Sequence, residues 1–260
     1  MQDLRTTLIQ APLSWEDPAA NRQYFTQKLA PLTGQTDLVV LPEMFTTGFT
    51  MNPAPYAEAM DGPTVTWLRE RATALDAAVM GSLIIRENDR HYNRMVLVRP
   101  DGSLNHYDKR HPFTMSGELD HYERGTTNAT FLLKGWRIRP QICYDLRFPV
   151  WSRNVLADPY DLLVYVASWP NKRAYDWRLL LRARAIENQA YVIGVNRIGT
   201  DANGHEYAGD SCVIDPGPRH ALLDLENREA VGTVTLDAEH LRETRARLPF
   251  LQDGDGFTVG

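Results

Sequence analysis

The chain is poor in cysteine and lacks long apolar runs. It holds two cysteines among 260 residues, Cys143 and Cys212, too few for the disulfide framework of a small secreted protein. No stretch approaches the roughly 20 apolar residues of a membrane-spanning helix, and residues 1–5 are not followed by a signal-type apolar run. We therefore expect no membrane partner and a location in the reducing cytoplasm.

Several cofactor and catalytic motifs are also missing. The sequence contains no Gly-x-x-x-x-Gly-Lys-Ser/Thr phosphate loop, no His-Glu-x-x-His, no Cys-x-x-Cys and no Gly-x-Ser-x-Gly, which argues against nucleotide, zinc and serine-hydrolase chemistry. The formal net charge of -5 argues against general nucleic-acid binding, because phosphate contacts need clustered Lys and Arg. The sequence therefore predicts no cofactor, no metal site and no nucleic-acid partner.

The sequence does contain alternating strand and helix patterns, with no linker-like segment between them. Strands are predicted at residues 4–10, 37–41, 78–85, 92–99, 104–107, 130–133, 136–142, 161–167, 191–196, 211–214, 221–225 and 230–236. Helices are predicted at about 17–32, 63–75, 149–157, 174–189 and 237–245, and a long irregular loop at 108–129. These elements predict one α/β domain over residues 1–260, with a mixed pair of sheets covered by helices.

Three polar residues follow predicted strands. Glu43 follows strand 37–41, Lys109 follows strand 104–107, and Cys143 follows strand 136–142. In open α/β sheets, ligands bind beyond the carboxyl ends of strands, so the three side chains are candidates for one cleft. A carboxylate can take the thiol proton during attack on a carbonyl, and an ammonium can stabilise the oxyanion that forms. If the carbonyl belongs to an amide, a thioester would remain after ammonia leaves, and the same carboxylate could activate water to hydrolyse it.

Each of these residues also has an ordinary structural interpretation. A free cysteine is often a buried apolar filler, Glu43 could pair with an arginine at the surface, and Lys109 beside Arg110 could be solvated. Residue pattern alone leaves both interpretations open.

The segments around these residues resemble a known family. Residues 41–45 (Leu-Pro-Glu-Met-Phe), 107–111 (Tyr-Asp-Lys-Arg-His) and 142–149 (Ile-Cys-Tyr-Asp-Leu-Arg-Phe-Pro) are similar to the three signature blocks of the nitrilase, or carbon–nitrogen hydrolase, superfamily, in the family's order. The resemblance covers roughly residues 5–236. It implies a four-layer α-β-β-α sandwich and a homodimer or higher homo-oligomer.

The resemblance also implies roles for individual residues. Glu43 corresponds to the general base, Lys109 to the group that stabilises the tetrahedral intermediate, and Cys143 to the nucleophile. Glu118 occupies the place of a second glutamate that orients the lysine and the substrate. The backbone N–H of Tyr144 is expected to be the second oxyanion donor.

Further segments resemble the ω-amidase branch, which acts on 2-oxoglutaramate and related short dicarboxylic monoamides. They are residues 45–51, 111–118 and 167–170. A substrate with a distant carboxylate needs a cation in the pocket. Arg173 is the first candidate and Arg147 the second, although Arg173 could be a surface residue and Arg147 could pair with Asp145. The expected walls of the pocket are three apolar side chains, namely Phe113, Met115 and Trp169.

Two alternatives stay open on the sequence. One keeps the family but changes the substrate to a nitrile, an N-carbamoyl compound or a deaminated-glutathione amide. The other is a non-catalytic binding protein on the same scaffold. The partner expected in the leading interpretation is a small-molecule amide.

Overall fold

The structure is a computed structural model that describes residues 1–217 and 221–258. Its strands are β1 Leu4–Gln10, β2 Leu38–Val40, β3 Ala78–Glu87, β4 Arg90–Val98, β5 Leu104–Asp108, β6 Phe131–Leu133, β7 Trp136–Ile142, β8 Leu162–Ala167, β9 Tyr191–Asn196, β10 Ile198–Thr200, β11 Glu206–Ala208, β12 Cys212–Ile214, β13 Ala221–Asp224 and β14 Ala230–Leu236. Its α-helices are α1 Pro18–Leu29, α2 Pro63–Leu75, α3 Pro149–Ser152, α4 Ala174–Asn188 and α5 Ala238–Arg247. None of the helices in the described ranges is long and apolar enough to cross a membrane.

Local sequence explains where the longer helices begin and end. Asp17 caps α1 by accepting a hydrogen bond from the Ala20 backbone N–H at 2.9 Å, and proline fills the first turn. Asp76 ends α2 in the left-handed conformation, with φ of 52°. The central strands β2, β8 and β9 are buried along their whole length, as strands covered on both faces must be.

Most of the strands in the described residues form two six-stranded sheets. The first sheet has the order β14-β1-β2-β3-β4-β5 and the second has the order β13-β12-β9-β8-β7-β6. The central strands are parallel in each sheet: β1, β2 and β3 in the first, and β7, β8 and β9 in the second. Parallel strands end at the same edge, which gathers the residues that follow them.

The two sheets pack face to face with helices outside. One apolar cluster holds Leu8 and Val40 of the first sheet together with Val164 of the second, so it fills the space between the sheets. A second cluster joins the opposite face of the first sheet to α1 and α2. On the outer face of the second sheet, α4 approaches so closely that a Cβ at Gly194 would lie 2.5 Å from Leu181. The predicted four-layer sandwich is thus confirmed.

Two details differ from the sequence-based expectation. The helix predicted at 149–157 is wrong, because α3 ends at Ser152. The Asn154 backbone N–H instead donates to the Asn188 side-chain oxygen at 2.8 Å, and the Asn154 side chain donates to the Tyr160 carbonyl at 2.9 Å. Such side-chain bonds compete with helix continuation. The hairpin of β10 and β11 was not predicted, since its strands are only three residues each.

Candidate active site

The ends of three strands bring the predicted trio together. Glu43 lies shortly after β2, Lys109 directly follows β5, and Cys143 directly follows β7. The first two belong to one sheet and the cysteine to the other. The site therefore straddles the two sheets, at the edge where their central strands end.

Glu43, Lys109 and Glu118 form a buried cluster of charges. The Lys109 Nζ lies 3.0 Å from Glu43 Oε1 and 2.9 Å from Glu118 Oε2. Their side chains are 0–1% exposed. Charges removed from water this completely are stable only when they are paired and hydrogen-bonded. The surface interpretations of Glu43 and Lys109 are therefore wrong.

Neighbouring donors fix the two carboxylates. The Asn93 side-chain amide donates to Glu43 Oε1 at 2.8 Å, and the Ser168 backbone N–H donates to Glu43 Oε2 at 2.7 Å. The Phe113 backbone N–H donates to Glu118 Oε2 at 2.5 Å. The carboxylate of Glu43 is thus held from two directions, which leaves it little freedom to turn away from the cluster.

The electrostatics of the cluster keep Lys109 charged. Burial by itself lowers the pKa of Lys109, but the carboxylates of Glu118 and Glu43 outweigh it and raise the pKa above the ordinary lysine value. Burial raises the pKa of Glu118, although the Lys109 ammonium acts in the opposite direction. An ammonium that stays protonated is suited to stabilising an oxyanion, and it cannot itself act as a base at neutral pH.

Cys143 adopts a strained backbone beside this cluster. Its φ is 45°, in the left-handed region that non-glycine residues rarely occupy, at a cost of about 1–3 kcal/mol. Burial and the Glu43 charge raise the pKa of the Cys143 thiol well above its ordinary value, against the opposing effect of Lys109. The Ser168 backbone N–H that binds Glu43 also contacts the thiol. Cys143 therefore rests as a neutral thiol near a carboxylate.

A third buried carboxylate, that of Asp145, holds the turn that carries Cys143. Asp145 accepts hydrogen bonds from the Ile142 backbone N–H at 2.9 Å and from the Tyr107 hydroxyl at 2.8 Å. It also accepts the His111 backbone N–H at 3.0 Å. The turn after β7 is in this way tied to the segment after β5, which carries Lys109.

Cys143 opens onto a cavity of about 1020 Å³. Its walls include the predicted site residues Phe113, Met115, Cys143, Tyr144, Arg147, Trp169 and Arg173. They also include Trp15, Glu16, Phe49, Thr50, Met51, Asn52, Ser116, Phe148, Ser168, Pro170, Lys172, Asp201, Asn203, His205 and Tyr207. Met115 is 71% exposed and so lies at the rim. Glu43, Lys109 and Glu118 lie buried behind the wall.

The two candidate arginines have different surroundings. Arg147 Nη2 lies 2.5 Å from Asp176 Oδ2, and its guanidinium stacks over Trp169 at 4.9 Å. The alternative pairing of Arg147 with Asp145 is therefore wrong, because Asp145 is occupied by the segment after β5. Arg173 stacks over the Phe113 ring at 5.3 Å, and among the described residues no carboxylate lies within ion-pair distance of it.

Sequence reasoning missed several residues of the site. Asn93 and Ser168 hold Glu43, while Asp201 and Tyr207 form part of the cavity wall. Ser168 directly follows β8, so the rule that selected Cys143 could have found it. Asn93 lies within β4, where nothing in the sequence marks it. Across the ranges that the structure covers, no group of three or more His, Cys, Asp or Glu could hold a metal ion.

Comparison with known proteins agrees with this geometry. The carbon-nitrogen hydrolase family profile matches residues 5–246. The chain is 47% identical to omega-amidase YafV of Yersinia enterocolitica over 100% of both chains. It is 31% identical to a 2-oxoglutaramate amidase of Bacillus subtilis over 94% of this chain and 95% of the other.

A solved structure is similar over the same length. A CN-hydrolase superfamily protein from Xanthomonas campestris, with an arsenic adduct in its active site, aligns with a TM-score of 0.97. It shares 48% sequence identity and covers 100% of both chains.

Proposed function

The chain belongs to the carbon-nitrogen hydrolase family, and we propose that within it the chain is an amidase of the ω-amidase type. It hydrolyses the terminal amide of a short dicarboxylic monoamide, of the 2-oxoglutaramate or succinamate type, to the acid and ammonia. The observation that carries the proposal is the buried cluster of Glu43 and Lys109 beside Cys143, on a cavity with cations on its wall. The relatives named omega-amidase and 2-oxoglutaramate amidase support the same substrate class.

The first half of the reaction forms a thioester. Glu43 takes the thiol proton of Cys143 as the sulfur attacks the amide carbonyl, which avoids a free thiolate. The Lys109 ammonium and the Tyr144 backbone N–H stabilise the oxyanion of the tetrahedral intermediate. The C–N bond then breaks, and the nitrogen leaves as ammonia after it receives the proton held by Glu43.

The second half of the reaction uses the same groups. Glu43 removes a proton from a water molecule, and the resulting oxygen nucleophile attacks the thioester carbonyl. The intermediate collapses with cleavage of the C–S bond, and the proton returns to the sulfur of Cys143. Glu118 holds the Lys109 ammonium through both halves, because its two oxygens lie 3.0 and 2.9 Å from Nζ.

Arg147 and Arg173 are proposed to bind the far carboxylate of the substrate. Both line the cavity that contains Cys143, and a guanidinium can bind a carboxylate with two parallel hydrogen bonds. Arg173 has no carboxylate partner within the described ranges, whereas Arg147 shares its charge with Asp176. Phe113 and Trp169 stack against these guanidinium groups and hold them in place.

The size of the cavity favours a second candidate substrate. About 1020 Å³ is at the upper end for a small-molecule site, and it exceeds what a five-carbon monoamide fills. The amide of a deaminated peptide such as deaminated glutathione is therefore the second candidate. It would use the same trio.

A substrate panel with ammonia detection tests the proposal. We expect succinamate and 2-oxoglutaramate to be cleaved faster than nitriles, N-carbamoyl compounds and the larger deaminated-peptide amide. Changing Arg173→Gln should raise KM for succinamate more than it lowers kcat, since it removes a binding contact. Failure of the wild-type protein to release ammonia from any monoamide would overturn the proposal.

Assembly and location are proposed on separate grounds. We propose that residues 1–260 act as one domain, because both sheets contribute to the site, and that this domain forms a homodimer or larger homo-oligomer. On α4 the apolar Tyr175, Leu179 and Ile186 are 51–75% exposed and lie on one face. Sedimentation of the wild type against Leu179→Arg tests this pairing.

The two unpaired thiols favour the reducing cytoplasm.

A further inference from the structure

A buried arginine lies near the active site without any role in the mechanism above. Arg197 directly follows β9, as Cys143 follows β7 and Ser168 follows β8. These three strands are parallel neighbours in one sheet. Since adjacent strands are about 4.8 Å apart, the backbone of Arg197 lies roughly 10 Å from that of Cys143. Arg197 is thus a third residue at the edge where the site forms.

The guanidinium of Arg197 has no partner for its hydrogen-bond donors. The residue is 0% exposed. Its Nε, Nη1 and Nη2 find no acceptor within the described ranges, and no carboxylate there comes within 4.0 Å. An arginine remains charged in proteins, and buried charges are ordinarily paired. The field of this charge therefore extends into its surroundings with little local compensation.

The nearest surroundings of Arg197 belong to the cavity wall. Its guanidinium lies 4.6 Å from the centre of the Tyr207 ring, and Tyr207 lines the cavity. On another side, a Cβ added to Gly48 would lie 3.3 Å from Arg197 Nη1 and 3.1 Å from the ring of Trp15, which also lines the cavity. Aromatic side chains of the cavity wall therefore lie between this charge and the cavity.

The closest acidic group is already engaged elsewhere. Asp201 interacts electrostatically with Arg197 but makes no ion pair with it. Its Oδ2 accepts the Tyr207 hydroxyl at 2.8 Å, and its Oδ1 accepts the backbone N–H groups of Asn203 and His205, each at 2.9 Å. The carboxylate is thus hydrogen-bonded to the hairpin of β10 and β11, and it attracts the Arg197 charge without forming an ion pair with it.

We propose that Arg197 is a specificity-determining residue that makes the cavity select monoamides carrying a negative charge. It acts through its charge, across the wall formed by Tyr207 and Trp15, and adds to the direct contacts of Arg147 and Arg173. The inference rests on the proposed amidase function and deepens it. A unit charge acting across one side-chain layer at an effective dielectric constant of about 20 changes affinity on the order of tenfold.

Two substrates that differ in charge test this inference. Succinamate carries a carboxylate, and butyramide is a neutral amide of similar length. We expect Arg197→Gln to lower kcat/KM for succinamate on the order of tenfold more than for butyramide. Arg197→Met also removes the charge but keeps a long, flexible side chain, so its ratio of the two kcat/KM values should fall by a similar factor. Equal losses on both substrates, or no loss on either, would overturn the inference.

Arg139 provides a matched control for burial. Like Arg197 it is buried, and its guanidinium stacks on a tyrosine ring, that of Tyr160 at 5.1 Å. It differs in having a carboxylate partner, Asp158 at 2.9 Å, and it does not line the cavity. Arg139→Gln should alter the thermal unfolding midpoint without changing the ratio of the two substrates. A shifted ratio in this variant would remove the support for Arg197.

Two further measurements keep the test decisive. If Arg197→Gln does not fold, Arg197→Met carries the test alone, and a substrate ratio equal to that of the wild type would overturn the inference. Raising the salt concentration distinguishes the effect of a buried charge from that of an exposed charge, because salt screens exposed charges much more strongly. Raising the ionic strength should shrink the effect of Lys172→Gln, at an exposed residue of the cavity, and leave that of Arg197→Gln unchanged. Wild-type protein that cleaves neither substrate would refute the amidase function itself rather than the role of Arg197.

Discussion

Cys143 and Cys212 are both buried and unpaired, yet only one lies in a reactive setting. Cys212 lies in β12, where it pairs with Gly194 of β9 on one side and Asp224 of β13 on the other. Cys143 begins a turn with φ of 45°, outside any ladder. Burial raises the pKa of both thiols. The difference is the neighbouring base and ammonium, so position at a strand end, and not acidity of the thiol, distinguishes the proposed nucleophile.

The largest expected effect comes from replacing Cys143 and Cys212 by alanine, one at a time. Cys143→Ala should reduce ammonia release from succinamate by at least about 10⁴-fold, because it removes the sulfur that is proposed to form the thioester. Cys212→Ala should keep activity within about threefold and lower the unfolding free energy by about 1 kcal/mol. Activity assays combined with denaturant unfolding measure both. Full activity in Cys143→Ala would show that the sulfur of Cys143 is not the nucleophile.

Removing the base should make Cys143 resemble Cys212. Glu43→Gln is expected to slow turnover by about 10²–10⁴-fold. In this variant burial still raises the pKa of the Cys143 thiol, while loss of the Glu43 charge lowers it, so alkylation should depend on the thiolate alone and accelerate with rising pH. Iodoacetamide labelling of each cysteine, followed by peptide mass spectrometry, measures this. Unchanged labelling at pH 7 would show that Glu43 does not activate the thiol.

A smaller effect is expected from the residue that holds the lysine. Glu118→Gln removes one of the two carboxylates that raise the pKa of Lys109 and loosens the position of the ammonium. We expect kcat to fall about 10–100-fold with KM nearly unchanged, since an oxyanion contact acts mainly in the transition state. Glu123→Gln, at an exposed glutamate of the same loop, is the control. A rise in KM alone would assign Glu118 to substrate binding instead.

The smallest effect concerns stability at alkaline pH. Burial raises the pKa of Cys212 to about 12, above the ordinary value of 9.0. The stabilisation from this neutral thiol is fully present below pH 9 and is lost as the pH rises towards 12, at up to roughly 1.4 kcal/mol per unit. Cys212→Ala should therefore lose less stability than the wild type between pH 9 and 10.5 in urea titrations. If the unfolding free energies of the wild type and Cys212→Ala fell equally with pH, the Cys212 thiol would not be titrating on unfolding.

The contrast between Cys143 and Cys212 also shows which features of the structure a sequence can predict. The convergence of Glu43, Lys109 and Cys143 could be expected because each follows a strand and the sheet edge collects such residues, but residue pattern alone left their ordinary structural roles open. Helix α2 was predicted to the residue, since Pro63 opens it and its apolar positions recur with helical spacing.

Other features depend on contacts distant in sequence and could not be predicted. Asn93 binds Glu43 across 50 residues, and α3 ends early because Asn154 bonds to Asn188. Arg197 follows a strand, as Cys143 does. Asp201 stands four residues later, and in a sequence an arginine and an aspartate so close together suggest an ordinary ion pair at the surface. Only its burial and its lack of hydrogen-bond acceptors distinguish it.

The most direct test of the account is mass spectrometry of the protein quenched during turnover of succinamate. A thioester pathway predicts an acyl adduct on the peptide that contains Cys143, absent from the Cys212 peptide and lost in Cys143→Ala. Ammonia release without any adduct on Cys143, or an adduct on Cys212, would contradict it.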